Sequence, residues 1–224
     1  MKMRNGFVSN SSSSSFIIAG NSVMDTFKCH VNDNEVIKTK YYDDEFTTGD
    51  IIKEMISQCE NSNADHVKGV ISGLIYQAAS SYREKVFHNI TKKRVVCYDW
   101  DDVPEDKWYE KYHKGTLFDI NEKIRKLIRN GIKDIFEKTK STESWDYYKV
   151  IDNEEYEKLS DEIVNEIYNK ITSENKEVYA VSFGDNHGAC SGAMGWFVED
   201  QYLGEKTINN SLNTNFQIYH YNCH

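Results

Sequence analysis

The 224-residue sequence lacks any apolar run that approaches the roughly 20 residues needed to cross a bilayer. Residues 1–4 are basic, as at the start of a signal peptide, but seven consecutive polar residues, 9–15, interrupt the apolar segment that should follow. These absences predict a cytoplasmic protein that does not enter the membrane.

Positively charged residues are fewer than negatively charged ones. Asp and Glu outnumber Lys and Arg by 36 to 27, and the formal net charge is −9. A negative field repels phosphate backbones and anionic lipid headgroups, so general nucleic-acid or membrane-surface binding is disfavoured. A protein or a small ligand is the expected partner, and an acidic surface can also imitate nucleic acid toward a basic partner.

Cysteine is too sparse for a disulfide framework. The five cysteines are odd in number and widely scattered, at Cys29, Cys59, Cys97, Cys190 and Cys223. Small secreted domains instead have dense, even sets. We therefore expect reduced thiols.

Apolar material is ample, since hydrophobic residues are 39% of the chain and aromatic residues 13%. This composition predicts a folded core. A chain of this length favours one large domain, so we expect a serine-rich segment, residues 1–15, followed by a single domain over residues 16–224.

Strand patterns lie at both ends of the chain and helical patterns in the middle. Short β-rich runs predict strands at residues 16–19, 35–42, 94–98, 178–183, 193–198 and 216–221. Apolar residues at helical spacing predict helices at residues 49–60, 64–88, 117–136 and 154–171. This order predicts an α+β fold, with a mixed or mainly antiparallel sheet and central helices packed on it.

Two of these predicted helices differ in charge. The helix at 117–136 carries a basic stripe beside its apolar face: Lys123, Arg125, Lys126, Arg129 and Lys133. The helix at 154–171 is acidic on its outer side. A solvated flank is the ordinary interpretation of the basic stripe, and an anionic partner is the alternative.

The most unusual stretch is a run of five serines between the apolar residues 6–8 and 16–18. Apolar anchors on both sides favour a loop pinned at its ends, whose N–H and O–H donors could surround an anion or a peptide. The alternative is a solvated polar loop without a ligand. The residues of this candidate cradle are Arg4, Ser11, Ser12, Ser13, Ser14 and Ser15.

Residues 4–16, RNGFVSNSSSSSF, resemble the block Arg-x-Gly-Phe-Val-Ser-Asn-(Ser)5-Phe that opens many otherwise dissimilar, uncharacterised proteins of bacteriophages and mobile elements. The resemblance covers about a seventeenth of the chain. It implies a small phage or prophage accessory protein, and no functional residue carries over from it. A block shared by unlike proteins is typical of a portable docking, processing or expression signal.

Two His-x-x-Cys pairs lie near the C-terminus, His187 with Cys190 and His220 with Cys223. A two-residue gap in a turn lets both side chains reach one ion, and two such pairs supply the tetrahedral N2S2 set that Zn(II) accepts. A structural zinc site is one interpretation. The two alternative interpretations are an open catalytic metal site and a chain that binds no metal.

Residues 95–103, VVCYDWDDV, resemble the strand and Asp-x-Asp opening of the haloacid-dehalogenase phosphatases. The resemblance implies Asp99 as phosphoryl nucleophile and Asp101 as general acid/base. However, about 95 residues precede this strand, which normally starts that fold, and the family's later Lys and acidic pair lack a clear match. An acidic strand end is the simpler interpretation.

No complete catalytic set emerges, so the sequence favours a protein that acts by binding. We expect a phage-type cytoplasmic accessory protein that inhibits or modulates a host or rival protein, in defence or nucleic-acid processing. The alternatives are a metal-dependent enzyme acting on a nucleotide or phosphoester, and a structural or virion-associated protein.

Overall fold

The computed structural model describes residues 13–34, 36–38, 45–93, 120–183 and 216–223. These residues form an α+β fold that is mainly helical. The strands are β1 (Ser13–Gly20), β2 (Val36–Lys38), β3 (Glu45–Thr47), β4 (Glu177–Phe183) and β5 (Phe216–Cys223). The α-helices are α1 (Val23–His30), α2 (Thr48–Asn61), α3 (Ala64–Thr91), α4 (Glu122–Thr139) and α5 (Glu154–Glu174), and Ser144–Val150 is a 3-10 helix.

The chain divides into two compact units. The first takes its residues from Met1–Ile71 and Ile167–His224, and the second is Ser72–Glu166. The expectation of one domain over residues 16–224 stays a prediction.

The main sheet of the first unit is three-stranded, in the order β4-β1-β5, and both strand pairs are antiparallel. Strand β1 is central because its apolar run is continuous and does not alternate. Phe16, Ile17, Ile18 and Ala19 are all fully buried, as expected for a strand covered on both faces. A second, two-stranded antiparallel sheet pairs β2 with β3.

The core of the first unit packs α1 and α2 against one face of this sheet. Phe16 meets Phe183 of β4 edge to face, with ring centroids 6.1 Å apart. The other buried members of this cluster are Ile18, Val23, Phe27, Ile51, Ile52, Met55, Cys59 and Val181.

The core of the second unit is helical. The α4 face of Ile124, Ile128 and Ile132 is fully buried. Phe87 of α3 packs edge to face on Tyr147 of the 3-10 helix at 4.9 Å, and the Tyr147 hydroxyl donates to the Ser141 carbonyl at 2.7 Å. Burial raises the pKa of that hydroxyl, and the nearby Asp146 adds to the effect.

The predicted helices at 49–60, 64–88 and 154–171 and the strands at 178–183 and 216–221 are confirmed within a few residues. Strand β1 begins earlier than predicted, at Ser13, and α4 begins later, at Glu122. The start of α4 is fixed by its N-cap Asn121, whose side-chain oxygen accepts from the Ile124 N–H at 3.0 Å. Of the predicted strand 35–42, β2 is the part that is described.

Helix α1 and the 3-10 helix were not predicted. Helix α1 has only eight residues, too few for a clear apolar stripe. Its first turn is stabilised from a distance, because the Met24 N–H donates to the Glu177 carboxylate at 2.9 Å. The predicted strands at 94–98 and 193–198 lie outside the described residues.

Candidate functional site

The outer side of α5 is rich in exposed carboxylates. Residues 154–166 contain six carboxylates and one lysine, so this stretch has a net charge of −5. We call its exposed carboxylates the acidic face: Glu154, Glu155, Glu157, Asp161, Glu162 and Glu166. All six lie in the second unit.

The amphipathic pattern of α5 places these carboxylates outward. Tyr156, Ser160, Ile163 and Val164 are buried on the opposite side of the helix. Asn153 caps the N-terminus, since its side-chain oxygen accepts from the Tyr156 N–H at 2.9 Å. The prediction that this helix is acidic on its outer side is confirmed.

The carboxylates of the acidic face fall into two groups, and only one of them stabilises the helix. Glu154, Glu155 and Glu157 lie in the first turn, where carboxylates stabilise the helix dipole. Asp161 and Glu162 lie beyond that turn, where the dipole gives them no such role. Glu162 approaches Lys123 of α4 at 3.9 Å, and since both side chains are more than half exposed, this ion pair contributes little to stability.

Most residues of the basic stripe on α4 contact other side chains of the protein. Arg129 pairs with Glu122 on the same helix, and Lys133 lies 3.8 Å from Glu137. The Arg125 guanidinium lies over the Tyr82 ring at 5.7 Å. These contacts favour the solvated-flank interpretation of the stripe.

The loop predicted for the serine run is wrong for Ser13, Ser14 and Ser15, which lie in β1. Ser15 is buried opposite Ser182 of β4, and the two hydroxyl oxygens are 2.8 Å apart. The backbone groups of a central strand are used in its ladders, so these serines do not form an open loop of donors. Arg4, Ser11 and Ser12 lie outside the described residues, and the cradle stays a prediction.

The structure describes the backbone of only one of the two His-x-x-Cys pairs. His220 and Cys223 both lie within β5. His187 and Cys190 lie outside the described residues. Among the residues that are described, no three His, Cys, Asp or Glu residues are grouped so as to hold a metal ion. The zinc site stays a prediction.

Asp99 and Asp101 lie outside the described residues, so the phosphatase interpretation stays a prediction as well. Within the described ranges, every helix is too short or too polar to span a bilayer.

Comparison of the chain with protein-family models, curated proteins and solved structures gives no significant match.

Two adjacent buried charges, Arg83 and Glu84, were missed by the sequence reasoning. Arg83 is a buried cation in the stripe of α3, four residues after Ala79 and four before Phe87, both of which are buried. A cation at a position where the helical period calls for an apolar residue was the available signal.

Proposed function

We propose that this chain is an accessory protein of a phage or mobile element that acts by binding another protein. In this proposal it works in the host cytoplasm, where it inhibits or modulates a host or rival protein of defence or nucleic-acid processing. The acidic face of α5 is the binding surface, and the partner presents a basic surface.

The charge density of the acidic face is the observation that carries the proposal. Residues 154–166 span about 18 Å of helix at about 1.5 Å per residue. A net charge of −5 over that length is about one charge per 3.6 Å, close to the roughly 3.4 Å per phosphate along one strand of duplex DNA. A surface that binds nucleic-acid phosphates would therefore find a similar field on this helix.

The resemblance of residues 4–16 to phage and mobile-element proteins supports the biological setting. Such a protein meets host machinery that binds nucleic acids, and much of that machinery is basic. The acidic face and the setting therefore favour the same class of partner.

The test of the proposal is affinity capture with the full chain as bait, from lysates of bacteria that carry related mobile elements. We expect one stoichiometric partner that binds nucleic acid on its own, and we expect duplex DNA to displace it from the bait. Reproducible failure to retain any stoichiometric partner across these hosts would contradict the proposal.

Matched variants then test the surface. The acidic-face variant is Asp161→Asn, Glu162→Gln and Glu166→Gln, which leaves the dipole-stabilising first turn intact. The control variant removes three other exposed carboxylates, at Glu60, Asp134 and Glu143, and changes the net charge equally. We expect only the first variant to lose the partner.

A further inference from the structure

Arg83 lies in the interior of the second unit. Only 4% of its surface is exposed, although a guanidinium is a charged group with five N–H donors. Burial of such a group requires compensation by an anion and by hydrogen-bond acceptors.

The compensation within the described residues is partial. The Glu84 carboxylate is 3.6 Å from Arg83 Nη2, beyond the distance of a good charged hydrogen bond. The Ser80 hydroxyl accepts from the same nitrogen at 3.3 Å, which is also long. Nη1 is buried and has no hydrogen-bond partner in the part of the chain that is described.

An aromatic ring covers this guanidinium. The Arg83 Cζ atom lies 4.2 Å from the centroid of the Tyr148 ring, in a cation–π contact. Tyr148 is 38% exposed, whereas its neighbour Tyr147 is held in the core against Phe87. Tyr148 is therefore the exposed partner of the buried guanidinium.

We propose that Arg83 anchors a binding site for a small oxyanion, a carboxylate or a phosphate group, with Tyr148 as its outer wall. The planar guanidinium fork matches two oxygens of such a group, and Nη1 supplies the donor that the described residues leave unused. Glu84 keeps the free site electrically balanced, so the protein folds before the anion binds.

The test is thermal unfolding of the full chain in sodium phosphate, sodium acetate and sodium chloride at equal ionic strength. At least one oxyanion should raise the Tm above its value in chloride, because a ligand of the native state stabilises it by mass action. Because phosphate is also excluded from protein surfaces and so stabilises folded proteins in general, only the part of a shift that depends on Arg83 identifies the preferred group. Equal Tm values in all three salts would overturn the proposal.

Two substitutions tie the effect to Arg83. R83M should abolish the oxyanion shift, and R83K should weaken oxyanion binding by about tenfold, because lysine lacks the bidentate fork. The control is R129M, which removes an exposed arginine paired with Glu122 and should retain the full shift. An undiminished shift in R83M would overturn the proposal.

A readout on the wild-type protein covers the case in which R83M fails to fold. In protein labelled with 15N-arginine, the Arg83 Nε–H resonance is assigned by its absence from R83K. We expect it to move with saturation on titration with the stabilising anion, while the Arg129 resonance stays in place. A stationary Arg83 resonance would contradict a site at this guanidinium.

Discussion

The Gln58 side-chain oxygen of α2 accepts a hydrogen bond from the Ser182 N–H of β4 at 2.6 Å. At the C-cap of α2, four residues further on, the Ser62 hydroxyl oxygen accepts from the Ala180 N–H at 2.8 Å. Both N–H groups lie on the edge of β4 that does not pair with β1. Side chains of α2 and its C-cap therefore occupy donors that another strand would otherwise pair with. Covering an edge in this way is one means by which natural sheets avoid edge-to-edge association.

Removal of both acceptors, in the double variant Q58A/S62A, should destabilise the first unit. Two strand N–H groups would lose their partners, at a cost of about 1–3 kcal/mol each if they stay buried. Urea unfolding measures the loss, and light scattering at increasing concentration measures self-association through the opened edge. The control S57A changes an exposed serine of α2 and should leave both unchanged. A double variant as stable and monomeric as this control would refute the edge-capping role.

The capping box at the start of α2 should make stability depend on pH. The Asp50 carboxylate accepts from the Thr47 N–H at 3.0 Å, and the Thr47 hydroxyl oxygen accepts from the Asp50 N–H at 3.2 Å. Hydrogen bonds from the Thr47 backbone and hydroxyl, with Lys53, hold the pKa of Asp50 below its ordinary value of 3.8. A lowered folded-state pKa gives stability that is complete above the ordinary value and is lost as the pH falls through the folded value.

We therefore expect D50N to be less stable than wild type at neutral pH and to approach it as the pH falls below 3.8, the ordinary pKa of Asp. T47A should cost about 1 kcal/mol at neutral pH, and T47S, which keeps the hydroxyl, much less. Urea unfolding across this pH range measures all three differences. A gap between wild type and D50N that is independent of pH would show that the charge of Asp50 has no role.

Two glycines of the first unit should respond in opposite directions to alanine. A Cβ atom at Gly49 would lie 2.6 Å from the Val31 carbonyl oxygen and 2.8 Å from that of Asp33, and neither backbone group can move aside easily. G49A should therefore destabilise the protein by about 1–3 kcal/mol. A Cβ atom at Gly69, inside α3, would meet nothing within 4 Å, so G69A should stabilise by up to about 1 kcal/mol. Comparable Tm shifts of the same sign would contradict this contrast.

The two cysteines with described side chains should differ in reactivity. Cys29 is exposed, whereas Cys59 is buried in the core of the first unit. Burial, with the nearby Glu177 and Glu60, raises the pKa of Cys59 to about 12. At pH 8 only about one Cys59 thiol in ten thousand is then ionised, and the thiolate is the reactive form. Alkylation followed by peptide mapping should modify Cys29 in the native protein and Cys59 only after unfolding; equal labelling would contradict the buried position.

The helices and strands that could be predicted are those whose type follows from the pattern of their own apolar and charged residues. The run Phe16–Ala19 is apolar without interruption, and the α5 pattern separates buried from charged positions, so both could be assigned from the sequence.

The features that could not be predicted depend on partners distant in the chain. Ser15 lies in a strand because Ser182, 167 residues away, offers its hydroxyl, which outweighs the usual turn preference of serine. Glu177 stabilises the start of α1 across 153 residues, and Gln58 reaches Ser182 across 124. No local pattern encodes these pairings. The acidic face could be read from the sequence because the helical period alone places its carboxylates.

The central claim, binding of a basic partner through the acidic face of α5, is tested most directly by a titration of the captured partner. The wild-type protein, the acidic-face variant and the control variant are compared at low and high salt. We expect the acidic-face variant to bind at least about tenfold more weakly at low salt, with a shallower salt dependence, and the control to match wild type. Equal affinity and salt dependence for all three proteins would contradict the claim.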